Sequence, residues 1–380
     1  MTLSRRELGK IALAGVPGVA IANSPLVRAL AAQARPDSRF GGVQIGVITY
    51  SYRSMPDQSA PATLQYVLDS GINAIELMDG PVENFLGRPS SGRGGGRGGG
   101  GRGRTGGDAP AAPRPPTPYE QLMSGTMPTC APPEGPGRTG GGGGGGGRGQ
   151  ASPEQIAAQQ RAAEELRNWR MSVSLDRVRD LRKLFNDAGV TIYAYKPDGL
   201  QKTMQTTDAE FDYVFAIAAA LGASHLTMEL PGGESASPLM RRLVQFAAKH
   251  KVAVAYHTHA QGSMTAFDDA LALSEWNRIN VDLGHYVAAG NVGGTPLQFL
   301  ERHHARISSF HLKDRTLPQH CSLTVPFGRG DGQIAEILQL MRKRGWAFPA
   351  SIELEYPVPA DSDAVREVKK CVEFARQALA

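Results

Sequence analysis

Cysteine is scarce in this chain, and its three copies are far apart. Cys130, Cys321 and Cys371 are the only cysteines among 380 residues, and no two have the short spacing of a metal-binding pair. An odd number of widely separated cysteines argues against a disulfide framework. The lack of cysteine ligands also argues against a closed structural zinc site. We therefore expect no disulfide-stabilised scaffold.

Long apolar runs are also missing. The run Ile11–Ala22 is uncharged, but it is too short and too interrupted by glycine and proline to span a membrane. It follows the pair Arg5–Arg6 and precedes a small-x-small sequence at Ala32–Ala34. This pattern resembles a twin-arginine export signal. We predict that residues 1–34 direct export, to the periplasm, with a cytoplasmic N-terminal helix as the alternative.

Residues 88–152 have little that could form a core. They contain Gly-Arg repeats, a proline-rich patch near Pro113–Pro118 and a glycine run that ends near Gly147. Such a composition buries too little apolar surface to offset the entropy of ordering, so we predict a disordered insertion over the barrel mouth. An RNA-binding arm is the alternative, but no aromatics are interleaved for base stacking, and we expect no nucleic-acid partner. Much of the arginine behind the net charge of +5 lies in this tract and the N-terminus.

The rest of the chain alternates between β-rich runs and amphipathic helical stretches. No G-x-G-x-x-G sequence follows the first run, which disfavours a doubly wound nucleotide-binding sheet. Eight alternations predict a (β/α)₈ TIM barrel over residues 41–380, interrupted by the insertion. The predicted strands are Gln44–Ile48, Ala74–Met78, Thr191–Tyr195, His225–Glu229, Ala253–His257, Asn280–Leu283, Ile307–His311 and Ala350–Glu355.

Polar side chains occur at the ends of five successive predicted strands. In a TIM barrel, catalytic groups lie at the carboxyl ends of the strands. Carboxylates gathered there repel one another unless a cation lies between them. Mixed oxygen and nitrogen ligands suit Mn²⁺, Zn²⁺, Co²⁺ or Fe²⁺ better than Ca²⁺, so we predict a divalent-metal site. In chain order the strand-end residues are Glu229, then His257 and His259, then Asp282 and His285, then His311 and Lys313, then Glu353 and Glu355.

Four short motifs resemble those of the sugar phosphate isomerase/epimerase family, whose members are xylose isomerase-like TIM barrels. They are Asp282–Tyr286 (DLGHY), His311–Asp314 (HLKD), Pro326–Gly330 (PFGRG) and Ile352–Glu355 (IELE). The resemblance implies a metal held at the ends of the fifth to eighth strands, by His257, Asp282, His311 and Glu353. The family has a glutamate on the fifth strand where this chain has His257. Either His257 is a ligand, or Glu229 supplies the missing carboxylate.

The resemblance also implies roles for the neighbouring residues. The metal polarises a sugar carbonyl or hydroxyl, and carboxylates move a proton through an enediolate. Glu353, Glu229 and Glu355 are the candidates for this proton transfer. His285, His259 and Arg329 are candidates for contact with substrate, and Glu76 is expected to orient the site. Lys313 either holds an oxyanion or is structural, and Lys196 either contacts substrate or is a surface residue.

Three functions remain open from the sequence. The first is an isomerase or epimerase that acts on a non-phosphorylated sugar or keto-sugar, since an exported enzyme is not expected to meet sugar phosphates. The second is a lyase or dehydratase that acts on a 3-keto-glycoside or inosose through the same enediolate. The third is a non-catalytic barrel that binds sugar or polyanion. The partner in the enzyme hypotheses is a small carbohydrate, and beyond the N-terminal signal we expect no integral membrane segment.

Overall fold

Eight parallel strands close into a barrel in a computed structural model that describes residues 35–89, 115–130, 152–198 and 203–380. Each strand pairs with the next along the chain, and the last, β8, pairs with β1. The predicted (β/α)₈ barrel is confirmed. The barrel strands are β1 (Val43–Ile48), β2 (Ala74–Met78), β3 (Thr191–Lys196), β4 (His225–Glu229), β5 (Ala253–His257), β6 (Asn277–Asp282), β7 (Ile307–Leu312) and β8 (Ala350–Ile352).

The helices surround this barrel, and an apolar core lies between the two layers. The described helices are α1 (Ala60–Asp69), α2 (Asp79–Leu86), α3 (Pro118–Met123), α4 (Pro153–Ser172), α5 (Leu175–Asp187), α6 (Asp208–Leu221), α7 (Ala236–His250), α8 (Asp268–Leu273), α9 (Leu283–Ala288), α10 (Pro296–His303), α11 (Ile334–Arg344) and α12 (Ala364–Ala378). None of them is both long and apolar enough to cross a membrane.

Local sequence signals set both ends of α6. Thr207 and Glu210 form a reciprocal capping box at its start, and Gly222 ends it in the left-handed conformation with φ 79°. In contrast, the sequence assigned Leu283 to β6, whereas β6 ends at Asp282 and Leu283 begins the short helix α9. The Asp282 side chain accepts a hydrogen bond from His285 N and so caps α9.

The insertion, which follows α2, differs from its prediction because its residues 115–130 include the helix α3. Thr117 and Glu120 form a capping box at the start of α3, and Thr129 N donates to Gln121 Oε1 over 2.7 Å. Residues 90–114 and 131–151, like the predicted signal at 1–34, lie outside the described residues.

A disulfide joins the insertion to the barrel. Cys130 is bonded to Cys321, which lies 191 residues away in the loop after β7, and Cys371 is free and buried. The expectation from the cysteine count is therefore wrong. The separation of the two cysteines along the chain did not indicate this bond, because only the folded barrel brings the loop after β7 next to the insertion.

Candidate metal centre

Strand-end side chains of β5, β6 and β7 converge at the carboxyl rim of the barrel. One ligand atom each of His257, Asp282 and His311 lies within 4.8 Å of the other two, and all three residues are buried. Glu353, just beyond β8, adds a carboxylate oxygen 2.9 Å from His311 Nδ1. The four ligands that the sequence indicated are therefore brought to one place. Two carboxylates and two imidazoles form a donor set that suits a divalent transition metal.

A second cluster shares one of these residues. Glu229, His257 and His259 also bring one ligand atom each within 4.8 Å of one another. His257 Nδ1 lies 3.0 Å from Asn280 Oδ1 and 3.2 Å from the Asn280 carbonyl oxygen, so this nitrogen carries the proton and donates it. Only Nε2 of His257 then has a free lone pair. A single ion bound through His257 is therefore completed either by Asp282 and His311 or by Glu229 and His259.

Lys313 lies among the carboxylates of the first cluster. Its Nζ is 2.8 Å from Asp282 Oδ2, 2.8 Å from Glu353 Oε2 and 2.7 Å from Glu355 Oε2. Burial alone would lower the pKa of Lys313, but the three carboxylates outweigh it and raise the pKa. Asp282 Oδ2 thus already faces one cation, and the three carboxylates together carry more negative charge than this one lysine neutralises. The rim thus has spare anionic capacity, as a metal site requires.

His311 is held between two glutamates. Its Nδ1 faces Glu353, and its Nε2 lies 3.0 Å from Glu76 Oε2. Burial would lower the pKa of His311, but Glu353 and Glu76 outweigh it and raise the pKa to about 10. The ring is therefore protonated at neutral pH in the metal-free chain, and a metal at Nδ1 would take the place of that proton. Glu76 orients the ring, as the resemblance implied.

Glu229 and Lys196 form an ion pair beside His257, in which Lys196 is buried and Glu229 is 45% exposed. Lys196 Nζ lies 3.1 Å from Glu229 Oε1, and His259 Nδ1 lies 3.0 Å from Glu229 Oε2. Burial would raise the pKa of Glu229, but His259 and Lys196 outweigh it and lower the pKa. Glu229 is therefore ionised. The alternative that Lys196 is a surface residue is wrong, since its side chain is only 8% exposed.

His285 lies beside the first cluster as a neutral imidazole. Burial lowers its pKa to about 3, and the nearby Lys313 and Arg315 add to this effect. Its Nδ1 is 2.7 Å from Arg315 Nη1, and its Nε2 is 3.2 Å from Lys313 Nζ. Arg315 continues the alternation of His311 and Lys313 by one more step. It lies one residue beyond the HLKD motif and was not among the predicted site residues, although the same period of two indicates it.

Arg329 is the predicted site residue that the structure does not bring into this group. It is exposed on the loop after β7, and the backbone of that loop wraps around Asp314. Gly328 N and Gly330 N donate to Asp314 Oδ2 over 2.8 and 3.0 Å, and Gly332 N donates to Oδ1 over 3.1 Å. A Cβ atom at Gly330 would lie too close to Asp314 Oδ1. The motifs HLKD and PFGRG thus form one structural unit, on which Arg329 is exposed.

A polar network inside the barrel supports the rim. Asn280, whose Oδ1 holds His257, donates from Nδ2 to Ser309 Oγ over 2.7 Å. Ser309 Oγ is also 2.9 Å from His225 Nε2, and His225 Nδ1 is 2.9 Å from Ser224 Oγ. Partners behind a ligating histidine fix its tautomer and ring orientation. This network was not predicted from the sequence, because its members lie in mid-strand or at the amino end of β4 and not at the carboxyl ends of strands.

His225 is expected to make the fold sensitive to acid. Burial lowers its pKa from 6.5 to about 4, so the folded state favours the neutral ring. The neutral ring's contribution to the free energy of unfolding is fully present above pH 6.5. It is lost as the pH falls towards 4, and the loss amounts to about 3 kcal/mol. We expect the unfolding free energy of His225→Gln to fall less than that of the wild type between pH 7 and pH 4.5. Urea titrations in the presence of a chelator measure this difference. The same change at exposed His304 should leave the wild-type pH dependence, and equal losses in all three proteins would contradict the assignment.

Comparisons with known proteins agree with this architecture. The chain matches the family described as "xylose isomerase-like TIM barrel" over residues 156–377. No curated protein matches it significantly. Among solved structures, it is similar to D-psicose 3-epimerase with D-tagatose from Clostridium cellulolyticum H10, with TM-score 0.51 and 9% identity over 89% of this chain and 99% of that one.

Two further solved structures have the same fold. A sugar phosphate isomerase/epimerase from Parabacteroides distasonis aligns with TM-score 0.50 and 14% identity, over 90% of this chain and 96% of that one. A probable 3-DHS dehydratase from Bacillus anthracis aligns with TM-score 0.50 and 13% identity, over 86% of this chain and 98% of that one. At such low identities the similarity is one of fold alone.

Proposed function

Because the chain belongs to the xylose isomerase-like TIM barrel family, we propose that it is a metal-dependent isomerase or epimerase of a non-phosphorylated sugar or keto-sugar. The observation that carries this proposal is the convergence of His257, Asp282, His311 and Glu353 at the carboxyl rim. A divalent ion held by these residues would polarise a carbonyl or hydroxyl oxygen of the sugar. Mn²⁺, Zn²⁺, Co²⁺ and Fe²⁺ all suit the donor set.

The carboxylates of the rim are arranged for proton transfer on two faces of a substrate. Glu229 follows β4, and Glu353 and Glu355 follow β8, which lies diametrically opposite in an eight-stranded barrel. A sugar between them has one carboxylate on each side. An epimerase must remove a proton from one face of a carbon and return it on the other, so this placement favours epimerisation. Glu355, with a side chain 26% exposed, is the most accessible base of the β8 side.

The two lysines of the rim favour a neutral substrate. Lys313 is engaged by three carboxylates, and Lys196 is engaged by Glu229. Neither lysine is free to bind a phosphate group without leaving an acid unpaired. His285 and His259 instead pack edge to face, with ring centroids 4.6 Å apart, and offer polar edges to sugar hydroxyls. We therefore assign these two residues to substrate binding.

A lyase or dehydratase is the second candidate. The same carboxylates would generate the same enediolate, from which a β-leaving group departs instead of a proton returning. A probable dehydratase has the same fold, which makes this candidate specific enough to test. The non-catalytic alternative would use the same rim for binding only.

We also propose that the chain is exported. The Cys130–Cys321 disulfide supports this, because disulfides persist mainly in oxidising compartments such as the periplasm. The predicted twin-arginine signal points in the same direction, and the purified mature chain would then begin near residue 35. N-terminal sequencing of the protein from the periplasmic fraction would test the cleavage, and a chain found intact in the cytoplasm would contradict it.

Incubation with keto-sugars in D₂O tests the proposed reaction. We expect deuterium at the carbon next to the carbonyl, together with the epimeric or isomeric sugar, and both should stop when a chelator removes the metal. The lyase alternative predicts a product lighter by one water or by one leaving group. Binding without deuterium exchange across free ketoses, 3-keto-glycosides and inososes would favour the non-catalytic alternative and reject the proposal.

A further inference from the structure

Both ring nitrogens of His285 face a cationic donor. Arg315 Nη1 lies 2.7 Å from Nδ1, and Lys313 Nζ lies 3.2 Å from Nε2. A neutral imidazole has only one nitrogen that can accept, and arginine has no acceptor atom. One of the two donors must therefore determine which nitrogen carries the proton.

The geometry favours Arg315 in this competition. Its contact with His285 is shorter by 0.5 Å than that of Lys313. Lys313 has three carboxylates within 2.8 Å to which it can donate instead. Among the described residues, Arg315 Nη1 has no other acceptor, and the guanidinium forms no ion pair within 4.0 Å. His285 Nδ1 is then the acceptor, and Nε2–H is a hydrogen-bond donor.

The Arg315 side chain is itself held by the loop that carries Cys321. Its Nη2 donates to the Ser322 carbonyl over 2.5 Å, and Ser322 Oγ donates to the Ala288 carbonyl at the end of α9 over 3.0 Å. Cys321 and Ser322 both have positive φ, 71° and 49°, a conformation that needs support from its surroundings when the residue is not glycine. Backbone hydrogen bonds from Cys321 N to Pro318 O, over 3.0 Å, and from Ser322 N to Leu317 O, over 3.1 Å, give part of that support. The disulfide to Cys130 adds to it, since it fastens this turn to the described part of the insertion.

We propose that Arg315 is a positioning residue that fixes His285 as the Nε2–H tautomer, and that the Cys130–Cys321 disulfide keeps Arg315 in place. In the context of the proposed function, on which this consequence rests, His285 donates to a sugar oxygen where negative charge develops. A neutral imidazole in this role stabilises an enediolate oxygen without transferring a full charge. The insertion thereby contributes to the site through its covalent link and not through its low-complexity sequence.

The tautomer can be read directly from the ¹⁵N shifts of the imidazole rings. The full chain, labelled in its nine histidines, would be measured with and without added Zn²⁺, with His285→Asn used to assign the resonances. We expect protonation at Nε2 in the wild type and a switch to Nδ1 in Arg315→Met, because Lys313 is then the only donor. Arg315→Lys, which keeps a donor, should restore the wild-type pattern at least in part. Arg302→Met, which removes an arginine paired with Asp268 on the surface, should change nothing.

The disulfide is tested in the same spectra. In Cys130→Ser we expect the His285 shifts to move towards those of Arg315→Met, together with faster amide exchange at residues 315–325. Unchanged His285 shifts in Arg315→Met would overturn the role of Arg315, and unchanged shifts in Cys130→Ser would overturn that of the disulfide. These readouts need no turnover, so a failure to process keto-sugars would reject the proposed function and leave this result standing. If turnover is found, Arg315→Met should lower kcat by about 10- to 100-fold with metal content unchanged.

Discussion

Replacing Asp282 by asparagine is expected to remove the metal from the purified chain. Asp282 is fully buried, and its Oδ2 lies in the cluster 2.8 Å from Lys313 Nζ, while its Oδ1 caps α9. Asparagine keeps the cap, because it is as good an N-cap as aspartate, but it has no charge to offer the ion. The substitution thus tests metal binding without removing the helix cap. Residues that only support metal ligands account for about 10- to 100-fold in affinity, so the loss of a ligand should exceed about 100-fold.

Metal analysis of the purified proteins gives the result. We expect about one ion per chain in the wild type, almost none in Asp282→Asn, and an unchanged circular dichroism spectrum. Asp363→Asn is the matched control, since Asp363 also caps a helix, with its Oδ1 accepting from Arg366 N over 2.9 Å, but lies outside the cluster. If Asp282→Asn retains its metal, or if no protein binds any, the cluster is not a metal centre.

The second large effect is expected from Lys313→Met, which removes the only lysine among three carboxylates of the rim. Asp282, Glu353 and Glu355 would then face one another without that cation. Removing one partner from a buried ionic group costs about 3–5 kcal/mol, because an uncompensated charge is left behind. In the presence of chelator we therefore expect a large fall in unfolding free energy. A saturating divalent metal should restore much of it, since a bound ion stabilises the folded state by mass action.

Urea titrations of the variant with chelator and with metal measure both parts. Lys249→Met is the matched control, because Lys249 pairs with Asp212 at 2.7 Å but its side chain is 60% exposed. Such surface pairs contribute about 0–1 kcal/mol, and metal should not affect this variant differently from the wild type. If Lys313→Met is no less stable than Lys249→Met, the three carboxylates are not held together by Lys313. If metal does not rescue it, the ion does not bind among them.

The barrel and much of the rim were predictable because they follow from local periodicity. The bounds of β2, β4 and β5 agree with the predicted strands, since apolar runs of that length alternate with capped helices. The convergence of Asp282, His311 and Glu353 was predictable because parallel strands in a closed barrel bring their carboxyl ends to one rim. The barrel fold therefore determines where a strand-end residue lies, and the kinds of side chain at the rim can be predicted from the sequence.

What the sequence determined by itself is the barrel, its family motifs and the kinds of side chain at the rim, because these depend on spacings of a few residues. The tertiary structure alone decided how those side chains pair. It placed Lys313 among three acids, turned Arg315 towards His285, and joined Cys130 to Cys321 across 191 residues. Such contacts connect separate strands and loops, and barrel closure and loop packing set their distances. They produce no periodic pattern in the sequence from which they could be predicted.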